Sequence, residues 1–149
     1  MSPKNILVVD DEPDLTLSLQ LGLERRGFNV ITFNDPRLAL ENTRSHDYDL
    51  IITDIRMPKM TGFELYREIR KHDRLTPICF FSAFEIFQKE FETMFPNVDG
   101  TVFLKKPINL SELELRINEL TSKDRVVNED VLLVSKIRSS GDGRKTKFD

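Results

Sequence analysis

Four short apolar runs each stop at a polar residue, and this pattern constrains the chain more than any other feature. Ile6-Leu7-Val8-Val9 ends in Asp10-Asp11, and Leu50-Ile51-Ile52-Thr53 ends in Asp54. Ile78-Cys79-Phe80-Phe81 ends in Ser82, and Val102-Phe103-Leu104 ends in Lys105-Lys106-Pro107. Each run has the length and branching of a buried parallel strand, and stretches with helical periodicity separate them. In such a sheet the carboxyl ends of all strands open onto one edge, and ligands bind there. Three carboxylates, one hydroxyl and a lysine therefore converge. That set suits one divalent cation and one phosphoryl group.

The bulk numbers exclude other classes. A length of 149 residues is one domain's worth, and 39% hydrophobic with 32% charged residues is ordinary for a soluble globular protein. A net charge of −3 offers no basic field, so no nucleic-acid partner is expected. The N-terminal apolar run of four residues is too short for a secretory segment or a membrane span, so the expected compartment is the cytoplasm. Cys79 is the only cysteine, which excludes an internal disulfide and a cysteine-based zinc site; its apolar setting predicts an inert core thiol.

Strand and helix alternate five times. Pro13 suits a first helical turn, Leu15, Leu19 and Leu23 recur at helical spacing, as do Leu17 and Leu21, and Gly27 can close the helix. Residues 28–33 alternate as a half-exposed strand, and Asp35-Pro36 opens a helix to about Ser45. After Met57-Pro58, Gly62 leads into a helix to about His72; Thr76-Pro77 starts the fourth strand. Phe84, Phe87, Phe91 and Met94 share one face of the fourth helix, whose Phe84-Phe87-Phe91 stripe is expected to face the core, and Phe95-Pro96-Asn97 stops it. The fifth strand spans about 101–105, and Ser111 is expected to cap a last helix carrying Leu113, Ile117 and Leu120. This alternation predicts a doubly wound α/β sheet with right-handed crossovers. The expected domain covers residues 1–123. Residues 124–138, with Val127, Val131 and Val134 at roughly heptad spacing, suggest a helical extension supporting a homodimer, or a loosely attached strand; 139–149 suggest a disordered tail.

Taken in order, Val8-Val9-Asp10-Asp11-Glu12, Ile52-Thr53-Asp54-Ile55-Arg56-Met57-Pro58, Phe81-Ser82-Ala83 and Phe103-Leu104-Lys105-Lys106-Pro107 closely resemble the receiver domain of two-component response regulators. The resemblance covers about residues 4–122. It implies a flavodoxin-like, five-stranded parallel sheet in the order 2-1-3-4-5 with five helices. It also implies Mg²⁺-dependent phosphorylation of Asp54 by a sensor histidine kinase or a histidine phosphotransfer protein. Asp11 would ligate Mg²⁺ directly, Asp10 directly or through water, and Asp54 and the backbone carbonyl of Arg56 would complete the protein ligands. Ser82 would bond the phosphoryl oxygen, Phe103 would be the aromatic switch, and Lys106, rather than Lys105, would be the lysine before a cis proline. Arg56 and Phe84 would tune phosphoryl lifetime, Phe84 by shielding the acyl phosphate from water.

The chemistry supports these roles separately. Three close carboxylates repel one another unless a cation sits among them, and oxygen-only ligands favour Mg²⁺ or Mn²⁺. An aspartyl phosphate adds roughly two negative charges where one stood. Ser82 and Lys106 are then drawn in, Phe103 rotates inward, and the face built from the fourth helix, fifth strand and fifth helix changes shape to bind a downstream protein. The chain departs from the family in lacking the usual Gly-Ala pair before the fifth strand, where it has Pro96-Asn97-Val98-Asp99-Gly100. The leading reading is a stand-alone phosphorylation switch, not a turnover enzyme. The competing readings are a receiver-like module that works unphosphorylated, and an aspartate-nucleophile phosphatase. The last generally wants a second acid two residues after the nucleophile, where this chain has Arg56.

Overall fold

The computed structural model describes residues 2–83, 86–94 and 102–122, with side chains from Lys89 onward in the second stretch. The elements run β1 (Asn5–Val9), α1 (Pro13–Glu24), β2 (Asn29–Phe33), α2 (Pro36–Thr43), β3 (Leu50–Thr53), α3 (Gly62–Arg70), β4 (Ile78–Ser82), α4 (Ile86–Met94), β5 (Val102–Lys105) and α5 (Leu110–Thr121). All neighbouring strands pair in parallel, in the order β2-β1-β3-β4-β5. Phe84, and the proposed extension and tail beyond residue 123, lie outside the described residues.

Alternation along the strands divides the core into two layers. Ile6, Val8, Leu50, Ile52, Cys79, Phe81 and Leu104 face Leu19 and Leu23 of α1 and Leu113, Ile117 and Leu120 of α5. Leu7, Val9, Ile51, Ile78 and Phe80 face the opposite layer, where α2, α3 and α4 contribute Leu40, Phe63, Tyr66, Ile69 and Phe91. Burial on both sides explains why these strands read as continuous apolar runs. β2 lies at the edge; Val30 is buried and Ile31 exposed, as its alternating sequence requires.

Local chemistry sets the helix starts. Asp35 caps α2 by accepting from the Arg37 N–H, and Thr61 with Glu64 forms a reciprocal capping box on α3. α5 starts two residues earlier than a Ser111 cap would place it: Asn109 is the cap, its side chain accepting from the Glu112 N–H at 2.7 Å. α1 ends at Glu24, and Gly27, at φ 95°, turns the chain toward β2 in a conformation side-chain-bearing residues avoid. On α4, Phe91 of the expected core stripe is buried, whereas Met94 at the helix end is 46% exposed; the side chain of Phe87 lies outside the described residues. No helix among the described residues is long and apolar enough to cross a membrane.

Candidate functional site

Parallel register brings the strand ends level. Val9 pairs with both Phe33 and Thr53, Thr53 pairs with Phe80, and Ser82 pairs with Lys105. Backbone bonds continue one step past the strands: Asp10 N–H to Phe33 O, Asp54 N–H to Val9 O, and Lys106 N–H to Ser82 O. Asp10, Asp54, Ser82 and Lys106 are therefore held on one edge by the sheet itself.

One carboxylate oxygen from each of Asp10, Asp11 and Asp54 lies within 4.8 Å of the others. Asp10 is buried and Asp54 nearly so, with side-chain exposures of 3% and 12%. Lys106 Nζ lies 2.8 Å from Asp10 Oδ2, 3.4 Å from Asp54 Oδ2 and 3.8 Å from Glu12 Oε1. Asp54 Oδ1 also accepts from the Ile55 N–H at 2.8 Å.

The electrostatics follow from this crowding. Burial, and next the neighbouring Asp10 charge, push the Asp54 carboxyl above its ordinary value, although the Ile55 N–H and Lys106 pull it back. For Lys106, burial lowers the ammonium's affinity for its proton, but the bond to Asp10 and the charges of Asp10 and Asp54 outweigh it, and the net shift is upward. Lys106 thus stays charged, yet one ammonium faces three carboxylates and Glu12. An oxygen-only donor set with surplus negative charge is chemically matched to a hard divalent cation such as Mg²⁺.

The remaining residues named from sequence fall around this cluster. Ser82 ends β4 and is buried; Lys105 is exposed on the β5 edge, and the Lys106–Pro107 peptide is cis. Arg56 is exposed in the loop that follows Asp54. Phe103 is partly buried and lies on the same face as Ser82, since Phe80 is its register partner. Its ring stacks on Phe80 at 5.1 Å and meets Phe91 edge-on at 5.5 Å. Phe63 and Tyr66 extend this aromatic cluster into α3.

Two residues were missed by the sequence reading. Asn34, just past β2, donates from Nδ2 to Asp10 O at 2.7 Å and to Thr16 Oγ1 at 3.0 Å. Gly62 was read only as a helix start, but a Cβ there would sit 2.1 Å from Asp54 O. Glycine lets α3 seat on the peptide that carries Asp54, and Gly62 N–H bonds Ile55 O at 2.8 Å. The signal for Asn34 was present: a polar residue closing a strand.

Known proteins resemble this chain in sequence and fold. The model of the response regulator receiver domain matches residues 6–118. The alkaline phosphatase synthesis transcriptional regulatory protein PhoP of Bacillus subtilis is 31% identical over 124 residues, which is 83% of this chain and 50% of PhoP. The transcriptional regulatory protein PrrA of Mycobacterium leprae is 34% identical over 120 residues, 80% of this chain and 51% of PrrA. The chain thus spans about half the length of these curated relatives. Among solved structures, the chemotaxis protein CheY4 of Vibrio cholerae superposes with a TM-score of 0.72 at 29% identity, covering 80% of this chain and 99% of CheY4. The response regulator TrrA of Thermotoga maritima, solved in complex with Mg²⁺–BeF, gives 0.69 at 32% identity over 78% of this chain and 98% of TrrA. The match of the receiver-domain model across residues 6–118, on a parallel sheet of order β2-β1-β3-β4-β5 with three acidic residues gathered at its strand ends, makes this chain a member of the response regulator receiver domain family.

Proposed function

We propose that this chain is a phosphorylation-activated signalling switch in which Asp54 is the acceptor. The observation that carries the reading is the placement of Lys106 Nζ between Asp10 and Asp54, 2.8 and 3.4 Å away, beside three converging carboxylates. An Asp54 oxygen attacks the phosphorus of a phosphohistidine on a kinase or phosphotransfer protein. The new O–P bond forms as the P–N bond breaks, and the imidazole leaves with the bonding pair. Asp10, Asp11, Asp54 and the Arg56 carbonyl would hold Mg²⁺, which when bound neutralises charge on the transferring phosphoryl oxygens. Lys106 supplies fixed positive charge to the same oxygens, and the Ser82 hydroxyl donates to one of them.

The output follows from charge and packing. A phosphoryl group on Asp54 draws Ser82 and Lys106 toward it, away from the face that Ser82 shares with Phe103. The Phe103 ring already touches Phe80 and Phe91, so the switch is a deeper seating of that ring rather than a swing from solvent. Movement of β5 then alters the surface offered by α4, β5 and α5 to a downstream protein. Arg56 and Phe84 adjust how long the phosphoryl group survives. The test is intact mass after incubation with a small acyl-phosphate donor, with and without Mg²⁺, for the native chain and Asp54→Asn. A Mg²⁺-dependent gain of one phosphoryl group in the native chain alone supports the assignment. No gain, where another receiver domain reacts, would instead favour a module that binds partners unphosphorylated.

A further inference from the structure

Asp10 is fixed at every polar atom it has. Its N–H donates to Phe33 O at 3.1 Å, and its two carboxylate oxygens accept from the Glu12 N–H at 2.9 Å and from Lys106 Nζ at 2.8 Å. Its backbone carbonyl accepts from Asn34 Nδ2 at 2.7 Å. A carbonyl oxygen only accepts, so the Asn34 amide must present its NH₂ group here. The second N–H of that group reaches the buried Thr16 hydroxyl at 3.0 Å, which in turn donates to Pro13 O at 3.0 Å. One side chain thus joins the end of β2 to both ends of the loop between β1 and α1.

The consequence falls on Asp11. The carbonyl of Asp10 and the N–H of Asp11 belong to one rigid plane, so a bond that fixes the first sets the direction in which Asp11 leaves the strand. Three of the four bonds to Asp10 hold its N–H and carboxylate; Asn34 is the one that holds the plane leading to the next acid. We propose that Asn34 is a positioning residue for divalent-cation binding, aiming the Asp11 carboxylate at the site shared with Asp10 and Asp54. This rests on the reading that the three carboxylates bind Mg²⁺. Partners that orient metal ligands from behind are typically worth about 10–100-fold in affinity, and a single exposed amide belongs near the lower end.

The test is calorimetric titration of the full chain with MgCl₂ alone, for native protein, Asn34→Ala, Asn34→Asp, Asn29→Ala and Asp11→Asn. Asn29, at the other end of β2, also bonds across to β1, donating to Asn5 Oδ1 at 3.2 Å, and so reports any general loosening of this strand. The expected result is a Kd about tenfold weaker in Asn34→Ala and an unchanged one in Asn29→Ala. Asn34→Asp keeps the size but replaces two donors with acceptors and adds a negative charge. A field effect would tighten Mg²⁺ binding in that variant, whereas lost positioning weakens it. Native Kd in Asn34→Ala, tighter binding in Asn34→Asp, or equal weakening in Asn29→Ala each overturns the role of Asn34 alone. No Mg²⁺ binding by the native chain, or binding that survives Asp11→Asn intact, overturns the carboxylate-site reading and this inference with it.

Discussion

Replacing Gly62 by alanine tests whether the fold holds Asp54 by close backbone packing. The new Cβ would meet Asp54 O at 2.1 Å, Ile55 Cα at 3.0 Å and the Asp54 carbonyl carbon at 3.1 Å, where ordinary contact begins near 3.4 Å. The shortfall at the oxygen is about 1.3 Å, and its targets are backbone atoms that cannot rotate away. Overpacking of one methyl group costs about 1–3 kcal/mol, and an unyielding neighbour puts this site near 3. The alanine also restricts the unfolded chain, which returns about 0.4–1 kcal/mol. A net loss of about 2 kcal/mol corresponds to a fall in Tm of roughly 8 °C for a domain of this size. The Asp54 peptide must shift by something near 1 Å, and misplacement on that scale lowers a reaction rate by about 10²-fold. Scanning calorimetry and the initial rate of phosphorylation from an acyl-phosphate donor measure the two effects. Gly22→Ala is the control, because its Cβ meets only the end of the Leu110 side chain, at 2.4 Å from Cδ1. Leu110 can turn aside, and alanine inside α1 gains about 1 kcal/mol over glycine, so little net change is expected. Equal Tm values for the two variants, or native phosphorylation in Gly62→Ala, would refute the packing argument.

Three further outcomes follow from the site and the core. Lys106→Ala removes the ammonium that faces Asp10 and Asp54, so phosphorylation at saturating Mg²⁺ should fall by about 10²–10³-fold while Mg²⁺ affinity does not weaken; a rate within threefold of native would contradict the role given to Lys106. Asp54 is held above its ordinary pKa by burial and by Asp10, so its stabilising contribution is full below the unfolded value near 4 and is lost as pH rises through the folded value. Asp54→Asn should therefore raise Tm in EDTA at pH 7, the gain shrinking toward pH 4; the groups facing it are Asp10, Asp11 and Lys106, and a lower Tm at pH 7 would reverse the sign worked out here. Burial pushes the Cys79 thiol up to about 12, so iodoacetamide at pH 8 should leave folded protein unmodified and alkylate it fully in guanidinium, a result that one-hour labelling of native protein would contradict.

The sheet was legible because burial on both faces leaves a plain mark, an unbroken apolar run. The site was legible for a related reason: a carboxylate or lysine at the end of such a run has no core role to explain it. What periodicity could not supply was the choice among similar candidates that depends on loop geometry. Asn109 and Ser111 are both good caps, and only the bond to the Glu112 N–H decides for Asn109. Met94 sits at helical spacing from Phe91, yet the core ends before it and leaves it half exposed. Gly62 looked like a helix boundary because a close approach between two backbones leaves no pattern in sequence.

Asn34 closes the one strand whose sequence hides the signal. A polar residue stands out at the ends of the apolar strands β1, β3, β4 and β5, whereas the half-exposed pattern of the edge strand β2 makes one unremarkable there. Parallel register treats all five ends alike. Val9 is level with Phe33, so the residue after each, Asp10 and Asn34, must meet, and the 2.7 Å bond between them is the result. The same register carries a check on the lysine assignment. Ser82 pairs with Lys105, whose side chain is exposed, and the next residue, Lys106, turns toward Asp10 and Asp54. A slip of one residue in β5 would exchange the two lysines and turn Phe103 away from Phe80 at the same time. The stacking of Phe103 on Phe80 and the approach of Lys106 to Asp54 are thus fixed by one pairing, and in the proposed switch a strand of four residues would carry a change of charge at Asp54 to the packing of Phe103.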